Sequence, residues 1–291
     1  MIIRHFASSW SSSVIAAAEF EHTVHVWDVV TERHLATFAT IMDFGGTRLA
    51  MTPDGRNCTA AAYHVEGIAG YVASDGTEVW RRKDLKKTQK LRVSRDGRRI
   101  YACFNNRSCQ VLNRETGKTI KTWVGVRDVW ESPYQPVMLV KKRSLVLQTP
   151  EDQKIAIIPA ETFAVLCVAF GPGLICVSES AGPLRCLDTQ TGEERWRFQE
   201  KGQHFLEIAF AEHTQEFVGV CWPFERGGSF RLLRFEPQAG AMSVVTDLGL
   251  NGEFAFCLRG TRLLSSNGSI MDSATGSCEG RLAFPIKESG S

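Results

Sequence analysis

What most constrains the fold of this 291-residue chain is a turn unit that returns along its length. An apolar strand ends in Asp or Asn, a turn with Thr-Gly follows, and the next strand carries an aromatic residue. The clear copies are Val111-Leu112-Asn113-Arg114-Glu115-Thr116-Gly117, leading to Trp123, and Cys186-Leu187-Asp188-Thr189-Gln190-Thr191-Gly192, leading to Trp196. Degraded copies surround Trp27-Asp28 with Thr31-Glu32, Asp75-Gly76 before Trp80, and Asp272 with Thr275-Gly276. Asp and Asn start such turns by bonding the backbone just ahead, and Gly accepts the positive φ at the end.

A second signal lies between these copies. Thr52-Pro53-Asp54-Gly55 and Ser94-Arg95-Asp96-Gly97 are Asp-Gly hairpin turns flanked by apolar strands. Together the two signals define a four-stranded unit with one turn after its first strand and another after its third. The second turn falls near residues 32, 76, 117, 153, 192, 240 and 276, a spacing of about 41 residues. That period is the size of a propeller blade. The reading is all-β: a seven-bladed β-propeller of four-stranded antiparallel blades, spanning 1–38, 39–82, 83–125, 126–159, 160–199, 200–248 and 249–284. Blade 4 has Thr149-Pro150-Glu151-Asp152-Gln153 in place of the Thr-Gly turn, and blade 6 is read as carrying an extra residue in Glu236-Pro237-Gln238-Ala239-Gly240. One domain over 1–284 and a flexible tail over 285–291 are expected.

On these turn motifs the chain resembles the WD40-like and quinoprotein-like β-propellers. Trp27-Asp28 supplies one Trp-Asp ending, while the Gly-His dipeptide of WD40 repeats is absent. Hydrophobic residues at 43% and charged residues at 23% are ordinary for a soluble globular chain. The nine cysteines are irregularly spaced with no C-x-x-C pair, and most sit in apolar runs (Cys58, Cys103, Cys167, Cys176, Cys186, Cys221, Cys257). They read as small buried hydrophobes in a reducing compartment. The start of the chain lacks the pattern of a secretory signal, and no run is long and apolar enough for a membrane span. A cytoplasmic protein, monomeric when unbound, is the expectation.

Candidate chemistry is sparse. The first strands of the blades are read as mainly apolar (Leu49-Ala50-Met51, Leu91-Arg92-Val93, Val168-Ala169-Phe170, Ile208-Ala209-Phe210, Ala255-Phe256-Cys257) and offer no carboxylate set for a metal. Of the seven histidines only His22 and His25 are close in sequence, without a zinc-ligand spacing. There is no G-x-S-x-G elbow and no P-loop. The serines of 8–13 fit a hairpin loop in blade 1. No catalytic residue, metal ligand or cofactor site is assigned, and the chain is not read as an enzyme.

In such propellers the second-to-third-strand loops and the links between blades share one face. Onto it fall the link Arg81-Arg82-Lys83-Asp84-Leu85-Lys86-Lys87-Thr88-Gln89-Lys90, Arg107 of blade 3, and Lys141-Lys142-Arg143 of blade 4. The expected partner-binding residues are Arg82, Lys83, Lys86, Lys87, Lys90, Arg107, Lys141, Lys142 and Arg143, with Trp222, Phe224, Glu225 and Arg226 at the tip of blade 6. An acidic sector is expected from Glu179, Glu200, Asp247 and Glu253. A formal net charge of +2 diagnoses no partner by itself. The leading expectation is a non-catalytic protein-binding propeller. Compact propellers include bacterial immunity proteins that neutralise a toxin, and the likeness implies that role as one form. The alternatives are nucleic-acid or polyanion binding through the basic loops, and a hydrolase or lyase with a channel site.

Overall fold

In the computed structural model, all residues are described except 1–2, 20–22, 42–46, 65–66, 132–133, 135–136, 163, 181, 201–202, 224–227, 250–252 and 285–291. The proposed tail, His22, and the tip residues Phe224, Glu225 and Arg226 thus lie outside the described residues.

The fold is a seven-bladed β-propeller, each blade four antiparallel strands paired in sequence order. Blade 1 contains β1 (Ile3–Ser8), β2 (Val14–Glu19), β3 (Thr23–Asp28) and β4 (Arg33–Ala39). Blade 2 contains β5 (Arg48–Met51), β6 (Asn57–Ala61), β7 (Ile68–Val72) and β8 (Glu78–Arg82). Blade 3 contains β9 (Thr88–Val93), β10 (Arg99–Phe104), β11 (Ser108–Asn113) and β12 (Thr119–Val124). Blade 4 contains β13 (Asp128–Glu131), β14 (Val137–Val140), β15 (Ser144–Gln148) and β16 (Lys154–Pro159). Blade 5 contains β17 (Val165–Gly171), β18 (Leu174–Glu179), β19 (Leu184–Asp188) and β20 (Glu194–Phe198). Blade 6 contains β21 (Gln203–Ala211), β22 (Glu216–Pro223), β23 (Phe230–Phe235) and β24 (Met242–Gly249). Blade 7 contains β25 (Phe254–Cys257), β26 (Arg262–Ser265), β27 (Ser269–Asp272) and β28 (Cys278–Arg281). The blade ranges read from the turns hold their four strands, except that β4 runs one residue past the first range to Ala39 and β24 one residue past the sixth to Gly249.

The chain forms two compact units: 1–124 with 264–271 and 278–291, and 125–263 with 272–277. In both units second strands are buried on both faces, so they read as apolar runs such as residues 100–104 of β10 and Val137–Val140 of β14. The fourth strands alternate, as β4 and β24 do, because one face meets water. In the first unit the core fills the spaces between blades 1 and 2 (Val26, Phe38, Leu49, Tyr71) and between blades 2 and 3 (Ile68, Leu91, Ile100, Leu112). In the second it fills those between blades 4 and 5 (Met138, Leu147, Ile175) and between blades 5 and 6 (Leu184, Phe210, Phe217, Phe235).

The repeated turn has a definite geometry. The Gly117, Gly192, Gly240 and Gly276 N–H groups each donate to the carbonyl four residues back, on Asn113, Asp188, Glu236 and Asp272. Each glycine has φ between +65° and +76°. The acidic or amide side chain at the start accepts the next two free N–H groups, as Asp188 does from Gln190 and Thr191 at 2.8 and 3.0 Å. Blade 6 corrects the sequence reading. Glu236–Gly240 spans the same five residues as the others, and Glu236 replaces the Asp by accepting from Gln238 and Ala239. Blade 2 departs differently, because Val72 starts its turn and Asp75 takes the usual place of Thr, accepting from Thr77 N at 2.8 Å. Blade 4 closes a tighter turn from Thr149 to Asp152, with Asp152 at φ +68°.

One device was not read from the sequence. After each of these turns the pairing of third and fourth strands shifts register, so that a fourth-strand residue is left over, and in blade 6 a second shift follows. A bulge of this kind turns the extra side chain away from the ladder. The extra residues include Leu35, Val79, Ile120 and Ile155, which are exposed despite their apolar character.

The glycines serve a second purpose. A Cβ on Gly117 would meet the Trp80 ring at 2.5 Å, and one on Gly240 would meet the Trp196 ring at 2.6 Å. Each tryptophan lies under the next blade's turn and donates its indole N–H to it, Trp80 to Arg114 O and Trp196 to Pro237 O at 2.7 Å. Gly173 has φ +70° but open space beside it. Gly173→Ala should therefore cost only backbone strain, about 1 kcal/mol, whereas Gly240→Ala should cost about 2–3 kcal/mol from strain plus collision. Denaturant midpoints of the two variants check this, and equal losses would refute the role given to the close approach.

Candidate functional site

In the first unit three loops of the expected face are joined by hydrogen bonds. The link into blade 3 is anchored by buried Leu85 and Thr88, and Lys87 between them adopts a left-handed φ of +64°. That conformation presents both backbone groups of Lys87. Its N–H donates to Tyr63 O at 3.0 Å, and its carbonyl accepts from Asn105 N at 3.3 Å. Asn105 then donates to Tyr63 Oη at 3.2 Å and accepts from Gln89 at 3.1 Å. Arg107, at φ +61°, closes the turn of blade 3, with Asn106 Oδ1 accepting from Ser108 N and Oγ. Tyr63, the link and Asn105–Arg107 therefore form one bonded surface.

The cations of this surface differ in what they do. Arg81 is engaged by Glu78. Arg82 makes a two-pronged pair with Asp84 at 2.8 and 2.6 Å and donates to Gly117 O at 2.9 Å, tying β8 to the turn of blade 3. Asp84 is held below the usual carboxylate range chiefly by that Arg82 bond. Lys83, Lys86, Lys87, Lys90 and Arg107 are exposed to solvent.

On β1, β5 and β9 the structure adds residues the sequence reading passed over. His5, Arg48 and Arg92 join Lys90 there, and Arg48 Nε donates to Gln89 O at 3.3 Å. His5 Nδ1 is buried and meets no hydrogen-bond partner among the described residues. Its pKa is lowered to about 3, first by burial and then by the charges of Arg48, Arg92 and Lys90. Arg92 was visible in Leu91-Arg92-Val93 but was counted with an apolar strand. Arg48 and His5 carry no motif that distinguishes them.

In the second unit Lys141, Lys142 and Arg143 form the β14–β15 hairpin loop, with Lys142 and Arg143 exposed. The loop is held by Lys141 N to Ser144 O at 2.9 Å and by Ala160 N to Arg143 O at 3.2 Å. Trp222 at the end of β22 is 46% exposed, enough to offer an aromatic face. It stacks on Phe230 at 6.2 Å, which meets Phe254 at 5.2 Å. The expected acidic sector needs correction. Glu179 is 1% exposed and bonded to Arg185, so it is part of the interior. Glu200 is paired with Arg231 at 3.1 Å.

The serines of the first hairpin are structural: Ser11 Oγ donates to Pro53 O, and Ser13 Oγ to Asp28 Oδ2 at 2.6 Å. All nine cysteines are free and eight are buried. Burial pushes the Cys58, Cys221 and Cys257 thiols up to about 12, which makes them poor nucleophiles.

No protein-family description matches the chain, and no curated protein matches it. Among solved structures it is similar to BamB from Moraxella catarrhalis, with a TM-score of 0.62 over 94% of this chain and 83% of that one. The likeness agrees with the β-propeller fold that the turn motifs point to. The two sequences are 11% identical, so the likeness is one of architecture. With 1699 solved chains matching, the fold does not select a function.

Proposed function

We propose that this chain is a non-catalytic protein-binding propeller whose basic loops engage an acidic surface on another protein. The observation that carries the reading is the bonded surface of Tyr63, residues 83–90 and Asn105–Arg107. Apart from the Arg82–Asp84 pair, the exposed charges it presents among the described residues are Lys83, Lys86, Lys87, Lys90 and Arg107. Loops fixed on a rigid scaffold are the usual place for recognition, and complementary charge raises the encounter rate and rejects wrong partners. Lys142, Arg143 and Trp222 of the second unit are proposed as further contacts; an exposed Trp is a common interface anchor.

The test is recovery of a protein partner from the native host at low salt, followed by association kinetics. Lys86→Glu/Lys87→Glu should slow association about tenfold or more while leaving the melting temperature unchanged. Trp222→Ala should speed dissociation of the same complex. In its narrowest form the partner is a toxin that the chain neutralises, and an enzyme whose activity disappears on complex formation would support that form. If nuclease treatment releases whatever is bound, and the chain binds RNA or DNA with affinity falling steeply in salt, the polyanion reading replaces this one.

A further inference from the structure

We infer that the β10–β11 hairpin carries a modification site, the dithiol Cys103–Cys109, which small-molecule disulfides convert reversibly to a cross-strand disulfide at the root of loop 105–107. Its formation is independent of the protein-binding reading, and its effect on a partner rests on that reading.

Cys103 and Cys109 are free thiols that stand directly opposite each other, in a ladder without a register shift. The phase of that ladder follows from its backbone bonds. One step beyond the Arg99–Asn113 pair, Arg114 N donates to Arg98 O at 3.0 Å, so residues 98 and 114 are a hydrogen-bonded pair. Bonded pairs recur at every second position, which makes them 100 with 112 and 102 with 110. Cys103 and Cys109 fall between, as a non-bonded pair, the kind whose Cα atoms approach to about 4.5 Å and whose side chains lie closest. A disulfide spans Cα separations of about 4.4–6.8 Å, so a bond closes here at the short, strained end of the range. Strain of that kind makes a disulfide easy to reduce, which suits a reversible couple.

Pairing of this kind is selective among the cysteines. Cys58 faces Tyr71 and Cys221 faces Arg231. Cys176 and Cys186 do oppose each other, and Thr189 N to Gly173 O at 3.0 Å gives their ladder the same phase. The two pairs differ in access. Cys176 and Cys186 belong to the core between blades 5 and 6, behind a hairpin end fastened by Glu179 and Arg185. Cys103 and Cys109 are buried too, but one residue on each strand separates them from the exposed loop 105–107, with a turn bond from Arg107 N to Phe104 O at 3.1 Å. Opening that short hairpin end is a local event of low cost. One thiolate then attacks the small disulfide, and a mixed disulfide forms as one thiol leaves. The second cysteine attacks the protein sulfur of that bond and displaces the other thiol. The protein gives up two electrons and two protons, and the reagent carries them away as two thiols. Closure draws β10 and β11 together beneath Asn105, whose N–H reaches Lys87 O at 3.3 Å and whose side chain bonds Tyr63 and Gln89. The long bond to Lys87 is the first to give way, and the joined surface loosens.

Hydroxyethyl disulfide added to the native full-length chain should remove two hydrogens from it. Trypsin, cutting after Arg99, Arg107 and Arg114, should then release residues 100–107 linked to residues 108–114. Mercaptoethanol should restore the dithiol without denaturant. Linkage of Cys176 to Cys186 should be about tenfold slower or more. Cys109→Ala should abolish the linked peptides, and Cys103→Ala serves if that variant does not fold. Oxidation should speed deuterium exchange at the Asn105 amide about fivefold or more, an effect absent from the alanine variant. It should also slow association with a recovered partner about threefold or more. Failure to recover any partner would strike the protein-binding reading and leave the peptide and amide tests standing. Linked peptides that form only in denaturant, a stable mixed adduct in their place, equal rates at the two pairs, or an Asn105 amide or partner association unchanged by oxidation would overturn the inference.

Discussion

Arg185→Ala is expected to lower the unfolding free energy by about 3–5 kcal/mol. Arg185 and Glu179 are 5% and 1% exposed, and their side chains meet at 2.5 Å. Glu179 also accepts from Thr162 N at 2.7 Å, and Arg185 donates to Pro159 O at 3.1 Å. The pair therefore fastens the β18–β19 hairpin to the link that enters blade 5. Removing the cation strands a carboxylate where water does not reach, and that desolvation sets the size of the loss. The double variant Glu179→Gln/Arg185→Met keeps an acceptor for Thr162 and removes both charges, so it should recover to within about 1–2 kcal/mol of the parent. A loss below about 1 kcal/mol for Arg185→Ala, or no recovery in the double variant, would refute this account.

How much of this was legible in the sequence depends on the scale of the interaction. The blade boundaries were, because local chemistry writes the turn: Asn113, Asp188 and Asp272 bond the N–H groups just ahead of them, and a glycine must follow in the left-handed region. The same local rule misled at blade 6, where Glu236 performs the Asp role with one more methylene and so looked like an insertion. It misled at Asp75 too, which stands in the Thr position and was taken for the turn's first residue. The bulge that follows each turn left no composition signal. Its exposed residues, Val79 and Ile120 among them, have the β-branched character of any strand.

The candidate face was half legible for a related reason. A charge run such as 81–90 is visible in one dimension, but which charges are spent internally is settled in three. Arg82 faces Asp84, two residues away, and Glu179 faces Arg185 across a hairpin, so one expected surface cation is partly structural and one expected surface acid is interior. The His5, Arg48, Lys90 and Arg92 cluster comes from three strands more than forty residues apart in succession. No spacing rule within one segment reveals it, and only the side-by-side packing of β1, β5 and β9 brings it together.

That cluster also makes the fold sensitive to acid in a defined window. His5 has its pKa lowered from 6.5 to about 3, so the unfolded chain takes up a proton near pH 6.5 that the native protein refuses until about pH 3. Above pH 6.5 the group contributes no pH dependence. As pH falls through the window the unfolded state gains relative to the native one, by about 1.4 kcal/mol per pH unit from this group. Between pH 6.5 and 5, above the range where carboxylates titrate, the expected loss is about 2 kcal/mol. His5→Gln should flatten the profile there. Burial is the first cause of the shift and the Arg48, Arg92 and Lys90 charges follow, so Lys90→Gln should narrow the window without abolishing it. His25, whose pKa burial also lowers, tilts the profile the same way in both proteins and cancels in the difference. Urea unfolding at half-unit pH steps reads the parent, His5→Gln and Lys90→Gln curves, and a parent slope that His5→Gln does not change would remove this histidine as its source.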